Sequence, residues 1–202
     1  MVGSTSVTHP PLLDLILSRR SAPALEEPGP TRDELERMLL ATSTVPDHGL
    51  LRPFRFVIAE GEGRARLGDA LAATAAEYKP DMPAAKLEGV RAKAFRSPTS
   101  IVIIYSPKPG KVEDWEQKAT AACAGYAIVL AAHALGVGAV WKSVPFTKGA
   151  ALTETLGLEA GEEMLGWIHL GRTTTPEKAP TRKSFVVGEI ATILDGTGRT
   201  PL

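Results

Sequence analysis

The feature that most limits what this chain can become is its run from Ala119 to Ala139. It is apolar but Ala- and Gly-rich, and it is interrupted by Thr120, Gly125, His133, Gly136 and Gly138. A bilayer-spanning helix needs roughly 20 strongly apolar residues, and this run is too weak and too broken to be one. The alternative is a helix, from about Val112 to Leu135, that is apolar all round and must be covered on every side. A chain of 202 residues and 21.4 kDa predicts a single domain over 1–202, with little cover to spare. A second copy of the chain is the natural second wall, so the run predicts a homodimer.

Composition narrows the classes further. Lys+Arg and Asp+Glu both count 23, for zero formal net charge and a pI near 6.9. That balance gives no global field to attract nucleic acid or an anionic membrane. Cys123 alone cannot close an internal disulfide, and Met1 to Pro11 has no basic n-region followed by an apolar h-region. The expected location is cytoplasmic.

Helices and strands interleave along the chain. Pro10-Pro11 suits the start of a helix that carries Leu12, Leu13, Leu15 and Ile16 and runs up to Arg19-Arg20-Ser21, and Pro23, Pro28 and Pro30 predict an extended link. Thr31 to Glu34 reads as a capping box, with Leu35, Met38 and Leu39 as the buried stripe of a helix ended by Val45-Pro46. Strands are predicted at Phe54–Ala59, Ile101–Tyr105, Val137–Lys142 and Leu165–Leu170, with a short terminal one at Phe185–Val187. Helices are predicted at Arg64–Tyr78, through Phe95 after the Pro80–Pro83 turn, and at Lys148–Leu156. Gly136 sits where a left-handed cap would end the apolar helix. The pattern predicts a three-layer α/β/α or α+β domain.

Familiar catalytic motifs are missing. Gly136-Val137-Gly138 has Trp141 where a dinucleotide fingerprint needs its third glycine. Gly61-Glu62-Gly63 has Arg66 there, and Glu62 would face the pyrophosphate. No P-loop, nucleophile elbow or zinc-protease motif occurs, and His9, His48, His133 and His169 have no metal-ligand spacing. His133 and His169 read as core residues with satisfied rings. What remains are basic and polar clusters at the ends of apolar elements: Arg19-Arg20-Ser21, Pro46-Asp47-His48, Trp141-Lys142-Ser143 and Arg182-Lys183. Taken singly, each has a plain structural explanation as a helix cap, turn, snorkelling lysine or solvated tail.

Taken in order, these clusters resemble the FMN-dependent nitroreductase family, in particular its small bacterial branch. Arg52-Pro53-Phe54-Arg55-Phe56, Glu60 to Arg64, Phe95-Arg96-Ser97-Pro98, Trp115-Glu116-Gln117, Gly136-x-Gly138-x-x-Trp141-Lys142-Ser143 and Leu170-Gly171 continue the likeness in register, from roughly Leu13 to Phe185. The resemblance implies a nitroreductase-like three-layer fold with a central mixed sheet, intertwined as a dimer with a C-terminal strand extension. It implies FMN held by Arg19, Arg20, Ser21, Trp141, Lys142, Ser143 and Arg182, with Thr44 and His48 supplied by the other subunit. It also places a nicotinamide nucleotide at Ala131, Ala132, His133, Ala134, Leu135 and Gly136. Two positions depart from the branch, where Thr44 and Lys142 stand in place of arginines.

The implied chemistry fits those side chains. A dianionic phosphate suits forked guanidinium donors, which Arg19 and Arg182 supply beside Ser21, while adjacency leaves Arg20 free to face the flavin's pyrimidine edge or a carboxylate. Phe54, Trp115 and the Tyr78–Pro83 segment are candidates for the wall of a stacking slot. The expected activity is a ping-pong oxidoreductase. NAD(P)H reduces flavin N5, and a nitroaromatic, quinone or similar small acceptor is then reduced at the same face, with no side chain as catalytic acid and no metal. The alternatives are an FMN carrier or redox sensor without efficient turnover, and a flavin-free small-molecule-binding dimer.

Overall fold

A computed structural model describes residues 10–173, 183–196 and 198–202. Its centre is a four-stranded sheet of β1 (Phe54–Glu60), β2 (Thr99–Tyr105), β3 (Gly138–Lys142) and β4 (Glu163–Gly171), in the order β1-β2-β4-β3. Every pairing in it is antiparallel, so the parallel partner of a mixed sheet is not among the described strands. β2, rich in β-branched residues, is buried along its whole length. Because successive strand side chains alternate, Ile101 and Ile103 enter one core while Val102 and Ile104 enter the other.

β4 keeps both cores filled only by means of a bulge. Ile103 pairs with Gly166 and Ile104 with Met164, leaving Leu165 as the extra residue. The bulge rephases the strand, so Met164 and Trp167 share one core while Ile168 and Leu170 fill the other. Gly166 has φ +148°, and a Cβ there would lie 2.7 Å from the Lys142 carbonyl oxygen.

Helices cover both faces. On one lie α2 (Arg32–Leu40) and α5 (Asp114–Ala134), with α1 (Pro11–Ser18) against α5; on the other lie α3 (Gly63–Tyr78), α4 (Ala84–Arg91) and α6 (Ala150–Leu156). This is the three-layer arrangement expected. The capping box is formed: Thr31 Oγ1 accepts from the Glu34 N–H at 3.2 Å, and Glu34 accepts from the Thr31 N–H at 2.7 Å. α2 ends at Leu40 and tightens to a 3-10 turn over Ala41–Thr44 before Val45-Pro46.

α5 closes as the sequence predicts. Gly136, at φ +70°, donates to the His133 carbonyl at 3.1 Å, and Val137 donates to that of Ala132 at 2.9 Å. Its face toward the sheet buries Ala121, Ala124, Gly125, Ile128, Val129 and Ala132. Trp115, Ala119, Ala122, Cys123 and Tyr126 stay exposed on the other side. One chain therefore covers only half of this helix.

The tail differs from expectation. Phe185–Val187 is not a strand; its side chains are exposed, and it runs into a 3-10 turn at Val187–Glu189. β-branched residues make a strand only where a partner edge accepts them. The terminal strands are instead β5 (Thr192–Asp195) and β6 (Gly198–Pro201), an antiparallel pair in which Asp195 stands opposite Gly198.

Candidate functional site

The site is built along the free edge of β3. The Ala22 N–H donates to the Ala139 carbonyl at 3.0 Å, and the backbones of Glu26 and Arg172 exchange bonds of 3.0 and 2.9 Å. These bonds lay the extended link beside the sheet and fix Ser21 there. Alternation along β3 turns Ala139 and Trp141 toward α5, and Val140 and Lys142 to the opposite side. Ser21, Leu25, Arg96, Val140, Lys142 and His169 line a cavity of about 270 Å³ on that side. It shares Arg96, Lys142 and His169 with a neighbouring cavity of about 170 Å³, whose walls include Leu71, Lys93, Ser143, Val144, Phe146 and Trp167. The two form one cleft. Ser21 and Lys142-Ser143, far apart in sequence, meet in it.

The cleft is cationic. Among the described residues, Lys93, Arg96 and Lys142 have no carboxylate within ion-pair distance. At its floor the His169 ring is buried, with Nδ1 2.9 Å from Ser97 Oγ and 3.0 Å from Ser100 Oγ. Burial, and then the charges of Arg96 and Lys142, push its pKa down to about 4. The imidazole is therefore neutral near pH 7. The Trp167 ring lies 4.4 Å from it, centroid to centroid.

On the α5 side of the same edge, Ser18, Arg20, Ser21, His133, Gly136 and Thr173 help to line a cavity of about 330 Å³. Arg20 is already engaged there: its Nη1 donates to the carbonyls of Leu17, Ser18 and Arg19 at 2.9, 3.1 and 2.9 Å, capping α1. His133 Nε2 lies 3.0 Å from Ser18 Oγ. Burial, followed by the charges of Arg19 and Arg20, holds its pKa below the usual histidine value. Of the segment 131–136, Ala132 is wholly buried, while His133 and Gly136 reach the cavity. This is the carbonyl, negative end of α5, an unfavourable pole for a nucleotide phosphate.

Trp141 serves the core. A Cβ on Gly125 would fall 2.6 Å from its ring, and one on Gly166 would fall 2.7 Å from its Nε1. The indole is thus held between α5 and β4, leaving the strand backbone for the site edge. Thr44 and His48 lie elsewhere. Thr44 Oγ1 donates to the Ala41 carbonyl at 2.8 Å, and His48 Nδ1 lies 2.9 Å from a Glu116 oxygen at the first turn of α5. From Glu116 to His133 is about 25 Å along the helix at ~1.5 Å per residue, so within one chain His48 and His133 stand at opposite ends of α5.

The loop after His48 is strained, with Leu50 at φ +53° and Arg52 at φ +48°. Asp47 holds it by accepting from the N–H groups of Leu51 and Arg52 at 3.2 and 2.8 Å. Phe54 lines a cavity beside this loop, and Trp115 is exposed at the start of α5. Tyr78 packs at a 40° tilt against Phe146, a wall of the cationic cleft, with centroids 5.0 Å apart. Arg182 lies outside the described residues. Lys93, Arg96 and His169 were not among the sequence candidates. Arg96 belongs to the Phe95-Arg96-Ser97-Pro98 motif, whereas Lys93 and His169 carry no local signal.

Among the described residues, no group of three His, Cys, Asp or Glu side chains could hold a metal ion, and no helix is long and apolar enough to cross a membrane. Residues 16–172 match the profile of the nitroreductase family. The chain is 36% identical to the "Putative NAD(P)H nitroreductase YdjA" of Escherichia coli, over 86% of this chain and 97% of that protein. It is 35% identical to a protein of Haemophilus influenzae named as an NAD(P)H nitroreductase in the same way, over 83% and 90%. Among solved structures, a nitroreductase-like family protein from Bacillus cereus superposes with a TM-score of 0.77 at 25% identity, covering 94% of this chain and 98% of that one. A Bacteroides fragilis nitroreductase with bound FMN shares the fold, with a TM-score of 0.70 at 21% identity, over 93% and 100%.

Proposed function

This chain belongs to the nitroreductase family, and from that premise we propose that it is an FMN-dependent oxidoreductase using NAD(P)H to reduce nitroaromatic, quinone or similar acceptors. The observation that carries the reading is the convergence of Ser21, Arg96 and Lys142 on one cleft whose cations have no acidic partner among the described residues. The donor set fits FMN. Hydroxyl and guanidinium donors suit a phosphate, and lysine and arginine beside an aromatic floor suit a polar ring edge. When bound, FMN supplies a ring that takes hydride from NAD(P)H at N5 and passes it to an acceptor in a ping-pong cycle.

The chain's own residues do the rest. Arg19, Ser21 and Arg182 hold the phosphate, while Lys142 and Ser143 orient the ring along β3. Arg20 secures the end of α1, just before Ser21 enters the cleft. Thr44 and His48 serve the partner's cofactor. Two copies packed antiparallel through the exposed face of α5 bring the His48 end of one helix to the His133 end of the other, which completes a site that one chain leaves half built. Phe54 and Trp115, near the same end of α5 as His48, then become walls of the partner's slot.

Purified protein is expected to be yellow, or to become so with added FMN, and to bleach anaerobically with NADH or NADPH. Colourless protein that ignores FMN overturns the proposal. Tight flavin binding without bleaching by either nucleotide would make the chain a carrier or sensor instead.

A further inference from the structure

We propose that Arg96, standing just before β2, is the cation that meets the pyrimidine edge of the flavin, and that it tunes how strongly the chain prefers the reduced cofactor. The inference rests on the FMN reading above and adds a residue to it.

Three observations point to Arg96. Arg20, the motif arginine free by sequence to face that edge, is engaged by three carbonyls at the end of α1. Arg96 lines both halves of the cleft together with Lys142 and His169, and among the described residues no carboxylate lies within ion-pair distance of it. The third observation is His169 itself. Its Nδ1 side is taken up by Ser97 and Ser100, so it serves as a neutral aromatic floor, and the charge at the ring edge comes from arginine and lysine.

The chemistry requires such a group. Hydride leaves NAD(P)H, which departs as NAD(P)+, and adds to flavin N5 as an electron pair with one proton. No second proton accompanies it, so the reduced ring carries one negative charge, spread over its pyrimidine edge. A guanidinium fixed beside that edge interacts more strongly with the reduced ring than with the oxidised one. Its planar fork matches adjacent ring nitrogen and carbonyl acceptors better than an ammonium does.

The test compares wild type, R96Q, R96K and S21A as purified full-length proteins. The affinity for oxidised FMN is measured by fluorescence titration, and the two-electron midpoint potential of the bound flavin by dye equilibration. For R96Q the expected result is affinity for oxidised FMN within threefold of wild type. Binding of reduced FMN should be about tenfold weaker, a fall in midpoint of about 30 mV. R96K should recover most of that shift. S21A, a phosphate-anchor change, should weaken both redox states alike and leave the midpoint where it was. Arg96 is exposed, so R96Q should fold, and an unchanged melting temperature checks this. Wild-type midpoint in R96Q, with FMN still bound, overturns the role of Arg96 and leaves the FMN reading standing. Failure of the wild-type protein to take up FMN overturns both.

Discussion

At the entry to β4, Glu162 is 6% exposed and its carboxylate accepts from Arg55 Nε at 2.9 Å and Nη2 at 2.6 Å. Arg55 also donates to the carbonyls of Leu156 and Gly157 at 3.2 and 2.6 Å, tying the end of α6 to β1. The hydrogen bond from Arg55, helped by the Glu159 N–H and opposed by burial, holds the Glu162 pKa down to about 2. A carboxylate depressed on folding stabilises the fold fully above its ordinary pKa near 4.5, and that stability drains away as pH falls toward 2. Glu162→Gln should therefore cost about 2 kcal/mol near pH 7, since it leaves Arg55 without its charge partner. Urea titrations should show the wild-type advantage shrinking between pH 4.5 and 2; an advantage that persists unchanged at pH 2 would refute this account. Nothing in the local sequence marks the pair, because its partners lie more than a hundred positions apart.

β3 is placed by the helix it leans on. Gly125 is the point on α5 where Trp141 lies closest, and an added Cβ would meet Ile103 Cδ1 and the indole at 2.6 Å. Gly125→Ala should thus destabilise by about 2 kcal/mol through overpacking. By pushing the indole outward, it should also shift Lys142 and weaken FMN binding. A variant with wild-type melting temperature and wild-type flavin affinity would show that this contact does not set the strand. The capping box of α2, the glycine stop of α5 and the all-buried β2 were readable from sequence, because caps and hydrophobic runs are local signals. The bulge at Leu165-Gly166 and the β5–β6 pair were not anticipated. The bulge answers to packing between two cores, and the β5–β6 pair lies beyond Phe185–Val187, whose apolar run draws the strand assignment to itself.

The exposed face of α5 is where the proposed pairing of two copies can be tested. Trp115 and Tyr126 are 69% and 45% exposed on it, and with the small side chains between them they form a face suited to close helix packing. A charge there, as in Tyr126→Asp, should convert the protein to monomers in analytical ultracentrifugation and abolish FMN retention without unfolding the chain. A monomeric variant that keeps its flavin would exclude a site shared between subunits. The wild-type melting temperature should climb with added FMN, because a ligand bound only by the folded state stabilises it by mass action.

From the order of its residues alone, the chain declares its layers, most helix and strand boundaries, and a half-covered central helix that wants a partner. Periodicity and capping act within a few residues, and a linear text records them. The three-dimensional arrangement alone decides that Arg20 turns back onto its own helix, that Trp141 belongs to the core, and that Arg96, Lys142 and His169 share a cleft with Ser21. Those outcomes depend on which face of β3 each side chain takes and on what stands opposite across the sheet. Neither is fixed until distant segments have packed.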